Sequence, residues 1–155
     1  MRKMILIMLV LVISTALFAN FSLGLAFGEP SGLTGKYQFA PNFAVDFGAA
    51  YSFLWLLSGY TINADLLYLF PDTLNISGNY IPLYAGAGVS YFGIVGLAGL
   101  GGYSLRLRVP LGVYYPFSIN NDFNIEAFFE FAPTIGVYPT SSFTVSACLG
   151  ARYVF

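Results

Sequence analysis

The sequence contains no histidine, a single cysteine and only 8% charged residues, with 6 Lys and Arg against 7 Asp and Glu in 155 residues. Each shortage removes a class of function. Without histidine, the Ser-His and Asp-His general-base mechanisms of hydrolases are unavailable. One cysteine, Cys148, permits no intrachain disulfide and meets none of the zinc-ligand spacings; lacking a base partner, it reads as a space-filler and not as a nucleophile. Glycine-rich runs such as "GAGVSYFG" lack the lysine and the strand-to-helix setting of phosphate loops. No catalytic residue, cofactor or metal is therefore expected. No basic face exists for nucleic acid. An ordinary soluble domain carries about 25% charged residues, so a chain of mean hydropathy +0.74 with 57% hydrophobic residues points toward lipid.

What is present begins with "MRKMILIMLVLVISTALFAN". Arg2 and Lys3 precede an unbroken apolar run that ends in small residues at Ala19, the n-region, h-region and cleavage site of a secretory signal. A bare transmembrane anchor is the alternative reading of this run. Residues 1–19 are expected to be the signal peptide, and 20–155 a single domain.

A chain in lipid satisfies its backbone only as helices or as a closed β-barrel. The best helical candidate, 73–104, contains Pro82 and many glycines, a poor helix interior. Elsewhere the apolar period is two. Strand candidates run over 21–27, 33–40, 43–51, 61–70, 81–91, 104–115, 123–132 and 143–155. A barrel strand needs about 9 to 11 residues to cross a bilayer, and eight is the even count of an outer-membrane barrel.

The charges decide which face is which. A lipid-facing Arg or Lys near the bilayer midplane costs about 2 to 4 kcal/mol, whereas a lumenal one need not. Arg106 and Arg108 alternate with Leu105, Leu107 and Val109; Glu126 and Glu130 alternate with Ile125, Phe129 and Phe131; Arg152 alternates with Ala151 and Tyr153. Lys36, Asp46 and Asp65 also fall on the small or polar face of their strands. A soluble barrel of the lipocalin kind would show the reverse, apolar inside and charged outside. The expected fold is thus all-β, an eight-stranded antiparallel up-and-down transmembrane β-barrel.

An eight-stranded barrel is just wide enough to be filled by side chains. A symmetric hairpin at 116–122 sets Arg108 opposite Glu130, and the 133–142 connection brings Arg152 level with Glu126. A lumenal charge network of Lys36, Asp46, Asp65, Arg106, Arg108, Glu126, Glu130 and Arg152 follows; the alternative is that these residues line a narrow path for ions or small solutes. Tyr51, Trp55, Tyr60, Tyr91, Tyr103 and Tyr115 lie near strand ends, as an aromatic girdle does. With both chain ends at the periplasmic rim, the connections 28–32, 52–60, 92–103 and 133–142 face outward. The apolar 92–103 segment reads as a contact surface, a strand extension or a rest on lipid, and 71–79 is long for a periplasmic turn.

The segments "GEPSGLTGKY", "AVDFGAAYSF", "NADLLYLF", "LRVPLGVYYPF", "FFEFAP" and "LGARYVF", in that order, resemble the recurring segments of an uncharacterised family of small outer-membrane β-barrel proteins. The architecture is similar to that of the outer membrane protein A transmembrane domain and outer membrane protein X. The resemblance implies fold and location but no activity. Tyr153 and the terminal aromatic Phe155 resemble the signal read by the outer-membrane assembly machinery. The expected partners are outer-membrane lipid, that machinery during biogenesis, and an extracellular ligand at loops 92–103 and 133–142. The expected role of this monomeric, porin-like protein is structural or adhesion-type surface contact, with the narrow channel as the alternative.

Overall fold

The computed structural model describes residues 20–52, 58–76, 78–95, 102–119 and 123–155. Among these, every regular element is a strand: β1 (Phe21–Glu29), β2 (Ser31–Ala40), β3 (Phe43–Ser52), β4 (Ser58–Ile76), β5 (Asn79–Val95), β6 (Gly102–Arg108), β7 (Leu111–Ile119), β8 (Phe123–Tyr138) and β9 (Ser142–Val154). All pairings are antiparallel, and β1 pairs with both β2 and β9, so the sheet closes on itself. The proposed signal, residues 1–19, lies outside the described residues.

Nine segments make eight staves. β5 pairs with β6 through Gly88–Arg108 and with β7 through Ala85–Leu111, at one unbroken register. Only Val109 and Pro110 separate them, and the break falls there because proline has no N–H for the ladder. Its carbonyl still accepts from the Gly86 N–H at 2.8 Å, and the Val109 N–H donates to the Pro133 carbonyl at 3.0 Å. β6 and β7 are therefore the two halves of the sixth stave.

The staves are strongly tilted. Register partners followed around the ring from Gly24 are Thr34, Gly48, Asn63, Ser90, Arg106, Gly136 and Ser142, yet Gly24 itself pairs with Arg152, ten positions further along β9. A ten-residue shear over eight staves, at about 3.3 Å per residue and 4.8 Å per strand, tilts them by about 40° to the axis.

Several strands run longer than their composition indicates. β8 continues through Pro133 to Tyr138 and leaves only 139–141 as a connection, where 133–142 was expected. β5 and β6 extend to Val95 and from Gly102, which takes up part of 92–103. β7 runs past Pro116 to Ile119. Pro116 and Pro133 sit inside intact ladders opposite Glu126 and Val145; alternate residues of an antiparallel strand send their N–H to opposite sides, so a proline interrupts one edge and not both. The 71–79 stretch is also mainly strand. β4 and β5 pair down to Ile76–Asn79 across a bulge between Phe70 and Leu74, and Gly78 takes the left-handed φ of 88° that the tight turn requires.

The burial pattern is inverted relative to a water-soluble domain. Thirty-three large hydrophobic residues are exposed on the described surface, while the buried set holds six hydrophobic residues against ten polar or charged ones. Of the nine charged side chains described, none is exposed. The small apolar cluster inside consists of Ala44, Leu67, Leu69 and Tyr84, with Tyr114 packed against it.

Candidate functional site

Strand parity turns Thr34 and Lys36 of β2, Asp46 of β3, Asp65 of β4, Tyr84 of β5, Arg108 of β6, Glu126 and Glu130 of β8, and Arg152 of β9 into the lumen. Two arginines organise them. Arg152 Nη1 donates to Glu126 Oε1 at 3.2 Å, its Nε and Nη2 donate to Thr34 Oγ1 at 3.0 and 2.6 Å, and Nη2 also pairs with Asp46. Its guanidinium carbon lies 4.0 Å from the Phe128 ring centroid. Lys36 pairs with the other oxygen of Glu126 and stands 4.5 Å from the centre of the Tyr114 ring. Arg108 pairs with Glu130 and, through Nε at 3.4 Å, with Asp65. Tyr84 OH donates to Glu130 Oε2 and Asn63 Nδ2 to Asp65 Oδ2, each at 2.9 Å.

Several of these contacts skip a stave. Asp65 and Arg108 flank Gly88 in register, Tyr84 and Glu130 flank Gly112, and Thr34 and Arg152 flank Gly24. A Cβ at Gly88 would overlap the Asp65 carboxylate, and one at Gly112 would overlap the Tyr84 ring. The missing side chain is what lets polar groups two staves apart touch.

Seven of the eight residues expected in a lumenal network are thus brought together. Arg106 is not. It lies nearer the rim opposite the start of β1 and the end of β9, with its guanidinium carbon 4.0 Å from the Phe92 ring centroid and Nε 3.4 Å from Ser104 Oγ, and it has no carboxylate partner among the described residues. The expected opposition of Arg108 and Glu130 also needs correction. Arg108 faces Thr134, and Gly112 faces Glu130, because the β7–β8 ladder runs on past Pro116 to Ile119–Phe123, within the 116–122 stretch expected as a connection. Their ion pair exists because the arginine reaches diagonally along the tilted lumen. Arg152 and Glu126 do face each other. Thr34, Asn63 and Tyr84 complete the network and were missed; the signal in the sequence was a polar atom on the lumenal parity.

Above the network, a cavity of about 40 Å³ is bounded by Thr34, Asp46, Arg108, Glu130, Cys148 and Arg152, room for about three or four waters at the ~10 to 15 Å³ each requires. Cys148 is a free thiol on its wall. Among the described residues no group of three metal-ligating side chains occurs. Glu29 ends β1 and accepts a hydrogen bond from Ser52.

On the outer face, Tyr60, Tyr91, Tyr103 and Tyr138 form a chain of ring contacts with centroids 5.9 to 6.0 Å apart, and Tyr51 is the register partner of Tyr60. Tyr138 joins this belt unforeseen. Tyr115 stands apart, four positions before the end of β7, and Trp55 lies outside the described residues. At the opposite rim, Phe155 packs on Phe21 and Tyr153, Tyr153 on Phe123, and the Phe155 N–H donates to the Phe21 carbonyl at 3.0 Å.

No family model matches the sequence, and no curated protein matches it. Among solved structures the fold is similar to that of the N-terminal β-barrel domain of Pseudomonas aeruginosa OprF, with a TM-score of 0.59 and 14% identity over 87% of this chain and 96% of that one. At that identity the likeness is one of fold. The eight-stranded antiparallel barrel expected from the sequence is the fold found.

Proposed function

We propose that the chain is an integral outer-membrane barrel, delivered by residues 1–19, with a lumen plugged by its own side chains and a structural or surface-contact role at its outward loops. The observation that carries this reading is the inverted wall: large hydrophobics outward, and no described charge exposed. Such a surface is incompatible with water over so large an area and matches hydrocarbon bounded by aromatic belts. Phe155 and Tyr153, at the rim where β1 begins and β9 ends, are the elements offered to the assembly machinery. The loop rim carries any surface ligand.

A plug is favoured over a channel because the lumen is occupied at the level of Leu67, Tyr84, Tyr114 and Phe128, and the cavity above it is only about 40 Å³. The refolded protein should run unboiled as a compact heat-modifiable band with a β circular dichroism spectrum, and a helical spectrum would end the membrane-barrel reading. In planar bilayers it should show no discrete conductance. Reproducible openings would replace the plug with the narrow channel.

A further inference from the structure

We infer that the rim opposite the start of β1 and the end of β9 holds a binding site for a small organic carboxylate with a flat apolar body, its charge taken by Arg106. The lower lumen supplies the standard against which this site stands out. There, Lys36, Arg108 and Arg152 each meet at least one carboxylate of the chain itself. Arg106 is half-buried on the same inner face, and its one hydrogen bond among the described residues runs from Nε to Ser104.

The surroundings repeat the arrangement around Arg152, less the acid. Arg106 is in register with Gly136, and Gly136 with Ser142. A Cβ at Gly136 would overlap Ser142 Oγ, so that hydroxyl leans over the glycine as groups lower down lean over theirs. Where Arg152 adds Asp46 and Glu126 to a threonine hydroxyl, Arg106 faces an open cleft of about 550 Å³, within the roughly 300 to 1,000 Å³ of small-ligand sites. Arg106, Ser104 and Ser142 supply its polar wall and Phe92 its aromatic wall, with Tyr138 of the outer belt at its edge. A guanidinium fork donates two parallel hydrogen bonds to a carboxylate. The ring beneath Arg106 holds the fork in place and offers a planar ligand an apolar edge.

The site goes beyond the membrane reading and can be tested without it, on the full barrel refolded in detergent micelles. Isothermal titration with benzoate, inorganic phosphate and benzyl alcohol separates charge from apolar body. Benzoate should bind saturably at one site, more tightly than phosphate, with benzyl alcohol not binding. Arg106→Gln should weaken benzoate about tenfold or more, equivalent to about 1.4 kcal/mol. Phe92→Leu, which leaves the charge in place, should weaken benzoate and spare phosphate, and it keeps the test intact should Arg106→Gln not refold. Absence of saturable benzoate binding, or binding unchanged in both variants, overturns the site. Phosphate binding at least as tightly as benzoate overturns the apolar part of the assignment. Loss of the heat-modifiable band in the unsubstituted protein would instead count against the barrel.

Discussion

Arg152 and Arg106 stand on one inner face under opposite conditions. Arg152 is 2% exposed and carries two carboxylates and a threonine; Arg106 sits by the rim, half-buried, with a ring and a single weak serine contact. The lower lumen therefore behaves as a protein core made of charge, in which each member exists to neutralise another. The mouth keeps a charge uncommitted. Burial sets the difference: a cation deep in a side-chain plug is tolerated only when paired, while one beside open solvent is not so constrained.

Three substitutions would break or sharpen that contrast. Arg152→Gln strands Asp46 in the plug, leaves Glu126 with Lys36 alone, and should destabilise the barrel by about 3 to 5 kcal/mol, read as a lowered urea midpoint of the heat-modifiable form. A change below about 1 kcal/mol would mean that the lower lumen is as wet as the mouth, and the contrast would vanish. Gly88→Ala should have a middling effect, about 1 to 3 kcal/mol, because the new methyl crowds the Ala64 carbonyl and pushes Asp65 away from Arg108 without removing either charge. An unchanged midpoint there would show that the lumen has room over Gly88 and that the close approach of β4 and β6 across it contributes nothing. Arg106→Gln should be mildest, within about 1 kcal/mol, the worth of an exposed cation–ring contact; a loss as large as that for Arg152 would put Arg106 in the structural network after all.

Parity carried most of what the sequence revealed. Side chains alternate with a period of two whatever the strand length, so the inward direction of Lys36, Asp65, Glu126 and Arg152 is readable without knowing any boundary. The stave count follows, since turn-forming clusters separate the alternating runs. Strand ends were less legible: Pro116 and Pro133 look like stops but sit within ladders that tolerate them on one side. The misplaced end of β7 moved the Arg108 partner from Thr134 to Glu130. The ten-residue shear has no local signature, because it belongs to ring closure. That is why parity could put Arg106 and Arg108 on one face but could not show that only Arg108 descends to an acid.

The contacts of Arg152 cross the seam where the first stave meets the last. From β9 it reaches over Gly24 of β1 to Thr34 on β2 and Asp46 on β3. A slip of one position between β1 and β9 would turn that side chain out toward the surroundings of the barrel, and a slip of two would carry it about 7 Å from its acids. The seam thus has a built-in proofreading step: the backbone ladder could pair in several offsets, but only one lets the final stave discharge its cation.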